Sequence, residues 1–160
     1  MNGLRALLAL IMMACASQVQ AQIAFVQSSG VFQIASGTSV VSPAFAANPK
    51  VGNTIVVLAW TWNANSAPTI SASDNAANTY TSNTQGAVNA SGQGWQNAAV
   101  LSAPVTVTTA GFKVTVKAVP ASSQIAAVVI EYSGVGAVDQ TNSVTGATAT
   151  ALVSTPAATA

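Results

Sequence analysis

Asp74, Glu131 and Asp139 are the only carboxylate side chains in the 160-residue chain. A glycosidase needs two such groups flanking the bond that breaks. Asp74 instead opens a turn with Asn75, because a short Asx side chain bonds its own downstream backbone. Glu131 sits near the end of an alternating apolar segment, where a hydrogen-bonded structural carboxylate is expected. The chain has no His and one Cys, Cys15. That excludes a Ser-His-Asp triad, a Cys-His dyad and imidazole metal ligation. Asp74 with Asn75 and Asn78 offers one carboxylate and two amides, less than calcium asks for, so Asp74 and Asn78 read as turn residues. No catalytic residue, metal or cofactor is expected. A Lys–Asn cross-link assisted by Glu131 would need Lys113 or Lys117, and alternation puts both lysines on a wet face.

Binding chemistry is more plausible than turnover, and it rests on aromatics. Trp60 and Trp62 share one strand face with Val56 and Leu58, by the period of two. Trp60 reads as core and Trp62 as the cap of the strand's end. Trp95 follows the Gly-rich stretch 83–94, and Tyr80 follows Asn78-Thr79. Indole faces stack on sugar rings while Asn and Gln bond the hydroxyls, so Trp62, Tyr80 and Trp95 are the candidate ligand-binding residues. Only four Lys and Arg are present, which excludes the basic footprint of a nucleic-acid binder. Gly92-Gln93-Gly94 lacks the strand-to-helix context of a phosphate loop, and Asn89-Ala90-Ser91 is a glycosylation sequon with meaning only in a eukaryotic secretory route.

These residues must be positioned outside the cytoplasm, on the reading of the first 21 residues. Met1 to Arg5 forms a short n-region with one charge, Ala6 to Ala16 an apolar h-region, and Val19-Gln20-Ala21 a small-residue cleavage site. That is a secretory signal peptide, too short in its apolar run for a membrane span of about 20 residues. Cys15 fits a lipobox poorly and leaves with the leader. The remaining Lys50, Lys113 and Lys117 balance Asp74, Glu131 and Asp139. Charged residues make up 4% of the chain and hydrophobic ones 51%, against roughly 25% charged in an average domain. A neutral, charge-poor surface favours self-association.

The elements behind the signal peptide are strands. Good helix formers are scarce after residue 21, and short β-prone runs alternate with turn residues. Strands are predicted near 22–27, 39–47, 53–62, 68–73, 78–82, 95–103, 111–118 and 124–133, with 83–94 as a loop. The run Asn53 to Trp62 is nearly continuous in apolar residues, as in a strand buried on both faces or a central strand of a sandwich. Phe112, Val114 and Val116 alternate with Lys113, Thr115 and Lys117, as in a strand with one wet face. Residues 141–160 are Thr- and Ala-rich, a final strand or a loose tail.

Several segments occur in a suggestive order: Phe25-Val26-Gln27-Ser28, Val51 to Val57 (VGNTIVV), Ser73 to Tyr80 (SDNAANTY), Phe112 to Val116 and Glu131 to Val135 (EYSGV). Together they resemble a group of poorly characterised bacterial secreted β-sandwich domains found near immunoglobulin-like modules. The resemblance covers about residues 22–140. It implies an exported sandwich of two antiparallel sheets and carries over no catalytic residues. Ala77 stands where the group has Gly, so the turn is expected to adopt a form that tolerates a Cβ. Such domains usually continue for further strands, which implies a truncated frame and an unpaired edge.

The resulting expectation is an all-β, two-sheet antiparallel sandwich at residues 22–140 behind a signal peptide at 1–21. Its function would be non-catalytic: an extracellular binding or adhesion-type module with carbohydrate as the candidate ligand, or a self-associating cell-surface subunit. Clustered, solvent-facing Trp62, Trp95 and Tyr80 would favour the glycan.

Overall fold

The computed structural model describes residues 22–89, 92 and 94–136. The expected signal peptide, Cys15, Asp139 and the 141–160 tail lie outside these residues. Eight strands follow one another: β1 (Ala24–Ile34), β2 (Gly37–Val41), β3 (Thr54–Asn63), β4 (Thr69–Asp74), β5 (Thr81–Asn89), β6 (Trp95–Pro104), β7 (Val114–Ser122) and β8 (Gln124–Ser133). They form a five-stranded sheet in the order β1-β8-β3-β6-β5 and a three-stranded sheet in the order β2-β7-β4. Every pairing is antiparallel. Among the described residues there is no helix long and apolar enough to cross a membrane.

The core fills the space between the sheets, and alternation selects its members. In β3 the inward set is Ile55, Val57 and Ala59; in β8 it is Ile125, Ala127 and Val129. The three-stranded sheet answers with Val40, Ile70, Val114, Val116 and Ala118. Phe45 and Phe112, from the loops before β3 and β7, stack at 5.7 Å between ring centroids and close one end. The inner residues of neighbouring strands sit directly opposite one another, which brings their Cβ atoms within van der Waals reach.

Several sequence expectations change. Residues 83–89, predicted as loop, belong to β5 and pair with β6 along Thr84↔Val100 to Asn89↔Trp95. Their small polar residues suit an edge strand, which needs only one buried neighbour. β1 runs seven residues past the predicted 22–27, through Ser28-Ser29-Gly30. Register shifts between Phe25 and Gln27 and between Ser28 and Val31 absorb the polar insert, as β-bulges do. β2 ends at Val41 rather than residue 47; Pro43 follows, and it lacks the N–H that a ladder requires. β3 is the middle strand of its sheet, as its apolar run suggested.

Candidate binding face

The six residues singled out by sequence do not gather into one site. Asp74 ends β4 and organises the turn that follows. Its Oδ1 accepts from the N–H groups of Ala76 at 2.9 Å and Asn78 at 3.1 Å, and its Oδ2 from the Asn78 amide at 3.0 Å. Asn78 then reaches across: its Oδ1 accepts from the N–H groups of Thr106 and Val107 and the Thr106 hydroxyl, and its Nδ2 donates to the Val107 carbonyl. Asp74 and Asn78 are therefore a backbone clamp. Ala77 lies inside this turn at φ 65°. The turn did not change form to suit a Cβ; Ala77 occupies the left-handed region that Gly fills without strain.

Glu131 is a second clamp, on the inner face of β8 and 1% exposed. Its Oε1 accepts from the Asn53 amide at 2.5 Å and the Lys50 N–H at 2.9 Å; its Oε2 accepts from the Gln27 amide at 2.6 Å. Gln27 passes the contact on to the backbone of Ala47. This carboxylate ties β1 and the 45–53 loop to β8. Its neighbours are amides and backbone. Lys117 faces outward on β7, paired with Ser39 and Ser71.

The three aromatic candidates are not brought together. Tyr80 precedes β5 at the end of the sandwich where Val56 and Ser102 lie, and packs against the core. Burial first, and then the neighbouring Asp74 carboxylate, hold its phenol proton on well beyond the ordinary range. No hydrogen bond of good geometry satisfies the Tyr80 hydroxyl, so burial and charge carry the shift. Trp62 lies about 20 Å away along β3, the rise of six residues. Trp95 pairs with Asn63, whereas Trp62 pairs with Gln96 and Gln124. Successive strand residues face opposite ways, so Trp62 and Trp95 stand on opposite faces of the sheet. Gly94 is what admits Trp62: a Cβ there would come within 2.9 Å of the indole nitrogen, at a φ of +95°.

Trp60, read as core from sequence, is on the outer face and only half-buried. Period-two alternation had correctly grouped it with Val56, Leu58 and Trp62, but not which way that group points. The register around it shows cross-strand rows. Trp60 stands between Ala98 and Ala126, with Gly86 beyond Ala98 and Gln33 beyond Ala126. One pleat away, Leu58 stands between Val100 and Val128, with Thr84 and Val31 at the flanks. The next row centres on Val56 with Ile130 and Ser102; the row at the other end is Val88, Gln96, Trp62 and Gln124.

The middle of this face is apolar and open. Leu58 is 42% exposed and Val31 76%. Between the Trp60 and Leu58 rows the small residues leave a groove of about 470 Å³. Among the described residues no Lys, Asp or Glu lies on the face: Lys117 and Asp74 are on the other sheet, Lys50 and Lys113 are in loops, and Glu131 points inward. No three potential metal ligands of the His, Cys, Asp and Glu types gather among the described residues. Sequence reasoning missed Leu58, Ala98, Val100, Ala126 and Val128 as a surface. The available signal was that both faces of 53–62 and 124–133 are apolar, while one sheet face suffices for a core. The chain matches no protein-family model, no curated protein and no solved structure.

Proposed function

We propose that this protein is a non-catalytic, exported module that works by association through the outer face of its five-stranded sheet. The observation that carries the reading is the uncharged groove between the Trp60 and Leu58 rows. A monomeric sandwich gains nothing from turning Leu58, Val100 and Val128 outward, and large exposed apolar patches mark interaction sites. The non-catalytic part is supported by the work of Asp74 and Glu131, whose oxygens are engaged in holding backbone and amides. Export is supported by the n-region, h-region and cleavage pattern of residues 1–21. The resemblance to bacterial secreted sandwich domains supports a place at or beyond the cell surface.

A photo-reactive side chain placed at position 58, and in a second variant at position 41 on the other sheet, tests the reading in the exported chain. Adducts from position 58 and none from 41 are expected. No adduct from 58 would refute it.

Carbohydrate is the second reading, and Trp62 keeps it in view: the indole lies in register between Gln96 and Gln124, an apolar ring flanked by amides. Retention on insoluble neutral polysaccharide, lost in Trp62→Ala, is its expected result.

A further inference from the structure

We infer that the occupant of the apolar groove is a second copy of this chain, packed face to face and related by a two-fold axis near Leu58. The inference rests on the association reading and adds the partner and its geometry.

The argument begins with shape. An isologous interface needs a surface complementary to itself. The outer face supplies one: a ridge of Val56, Leu58, Trp60 and Trp62 along β3, flanked by Val100 and Val128 in the Leu58 row and by the small residues Gly86, Ala98 and Ala126 in the Trp60 row. Turned over about that axis, the ridge of one copy crosses the ridge of the other at Leu58, and each Trp60, two residues from the crossing, comes over the small residues Ala98, Gly86 and Ala126 of its own row. Sheets pack face to face with their strands within about 30° of alignment, so residues at the centre of the face meet their own counterparts. Trp60 of each copy is thereby offered a depression made by the small side chains of the Trp60 row.

Charge gives the second support. A foreign partner is usually steered by complementary charge, and this face has none among its described residues. Two copies meeting here bury no unpaired charge and repel none. Size gives the third. Five strands spaced about 4.8 Å apart and about ten residues long present roughly 700 Å², close to the roughly 800 Å² per partner of a standard stable interface.

Sedimentation velocity on the full chain across a dilution series tests this. The wild type is expected to be a dimer that dissociates on dilution. Leu58→Lys places two like charges at the axis and is expected to weaken the dimer at least about 100-fold, as an uncompensated buried charge does. Val41→Lys, on the outer face of the other sheet, is expected to leave it unchanged. Mixing Leu58→Lys with Leu58→Glu is expected to restore a dimer, and circular dichroism confirms that each variant folds. A wild-type monomer at high concentration would overturn the inference, whether the groove then holds residues 137–160, a polysaccharide or nothing. A dimer broken by Val41→Lys and not by Leu58→Lys would overturn it equally. Position-58 adducts of a mass other than twice the chain would sink the second copy while leaving the association reading standing.

Discussion

On the three-stranded sheet, the outward residues of β7 are Thr115, Lys117 and Val119, paired with Val41 and Ser73, with Ser39 and Ser71, and with Thr69. On the five-stranded sheet, the outward residues of β3 are Val56, Leu58, Trp60 and Trp62, and their neighbours are mostly Val, Ile and Ala. Both strands alternate, both have a buried inner face, and both lie in the middle of their sheets. The folding requirement is met by the inner faces alone. What differs is the character of the outer face: Lys and Ser mixed with exposed valines on one sheet, and an uncharged, mostly apolar middle on the other. On the proposed reading, the contrast separates residues that make the sandwich from residues that make it adhere.

The largest effects should fall on the inner side of this divide. Ile55→Ala is expected to cost about 3 kcal/mol, since it empties a fully buried site. Leu58→Ala, three residues away on the opposite face, is expected to cost about 1 kcal/mol or less in dilute protein. Urea unfolding of the two variants measures the difference, and equal losses would erase it.

The polar clamps of the two sheets should differ next. Glu131→Ala leaves the Asn53 amide, the Gln27 amide and the Lys50 N–H without their acceptor. A loss of about 3 kcal/mol is expected, at the upper end of the cost of unsatisfied buried donors. Asp74→Ala removes a part-exposed clamp whose donors can turn to water, and about 1 kcal/mol is expected. Thermal melts of both variants rank them.

Ala77 should respond in the opposite direction. Ala77→Gly relieves a left-handed residue and is expected to stabilise the fold by about 1 kcal/mol. Unchanged stability would mean that the turn relaxes in solution.

The smallest effect depends on pH. Tyr80 keeps its proton in the folded chain, whereas an unfolded tyrosine releases it near pH 10. The folded state then binds more protons above that pH, so stability is full below about pH 10 and falls as pH rises further. Tyr80→Phe is expected to flatten this alkaline fall, as followed by denaturant unfolding between pH 8 and 11.

Much of this architecture could be read from the residues. Asn53–Trp62 announced a central strand by its nearly continuous apolar run, Gln124–Ser133 announced a strand, and Ser73–Tyr80 announced a turn. β5 was hidden because an edge strand tolerates Thr, Gln, Gly and Asn, the residues that also make loops. The apolar outer face was hidden for a different reason. Alternation tells which residues share a face, and the polar face normally tells which side is wet. In 53–62 both sides are apolar, so the pattern gave no direction, and Trp60 was read as core. Only the positions of Ile55 and Val57 between the sheets settle it. The aromatic trio failed as a group because separation across a pleat or along a strand is invisible until pairing is known.

Covalent footprinting with a short-lived carbene, read by mass spectrometry at low and high protein concentration, tests the contrast between the two outer faces most directly. Labelling of Leu58, Trp60, Val100 and Val128 is expected to fall as concentration rises, while Val41 and Val119 stay equally labelled. Labelling that is independent of concentration on both faces, or protection confined to Val41 and Val119, would contradict it.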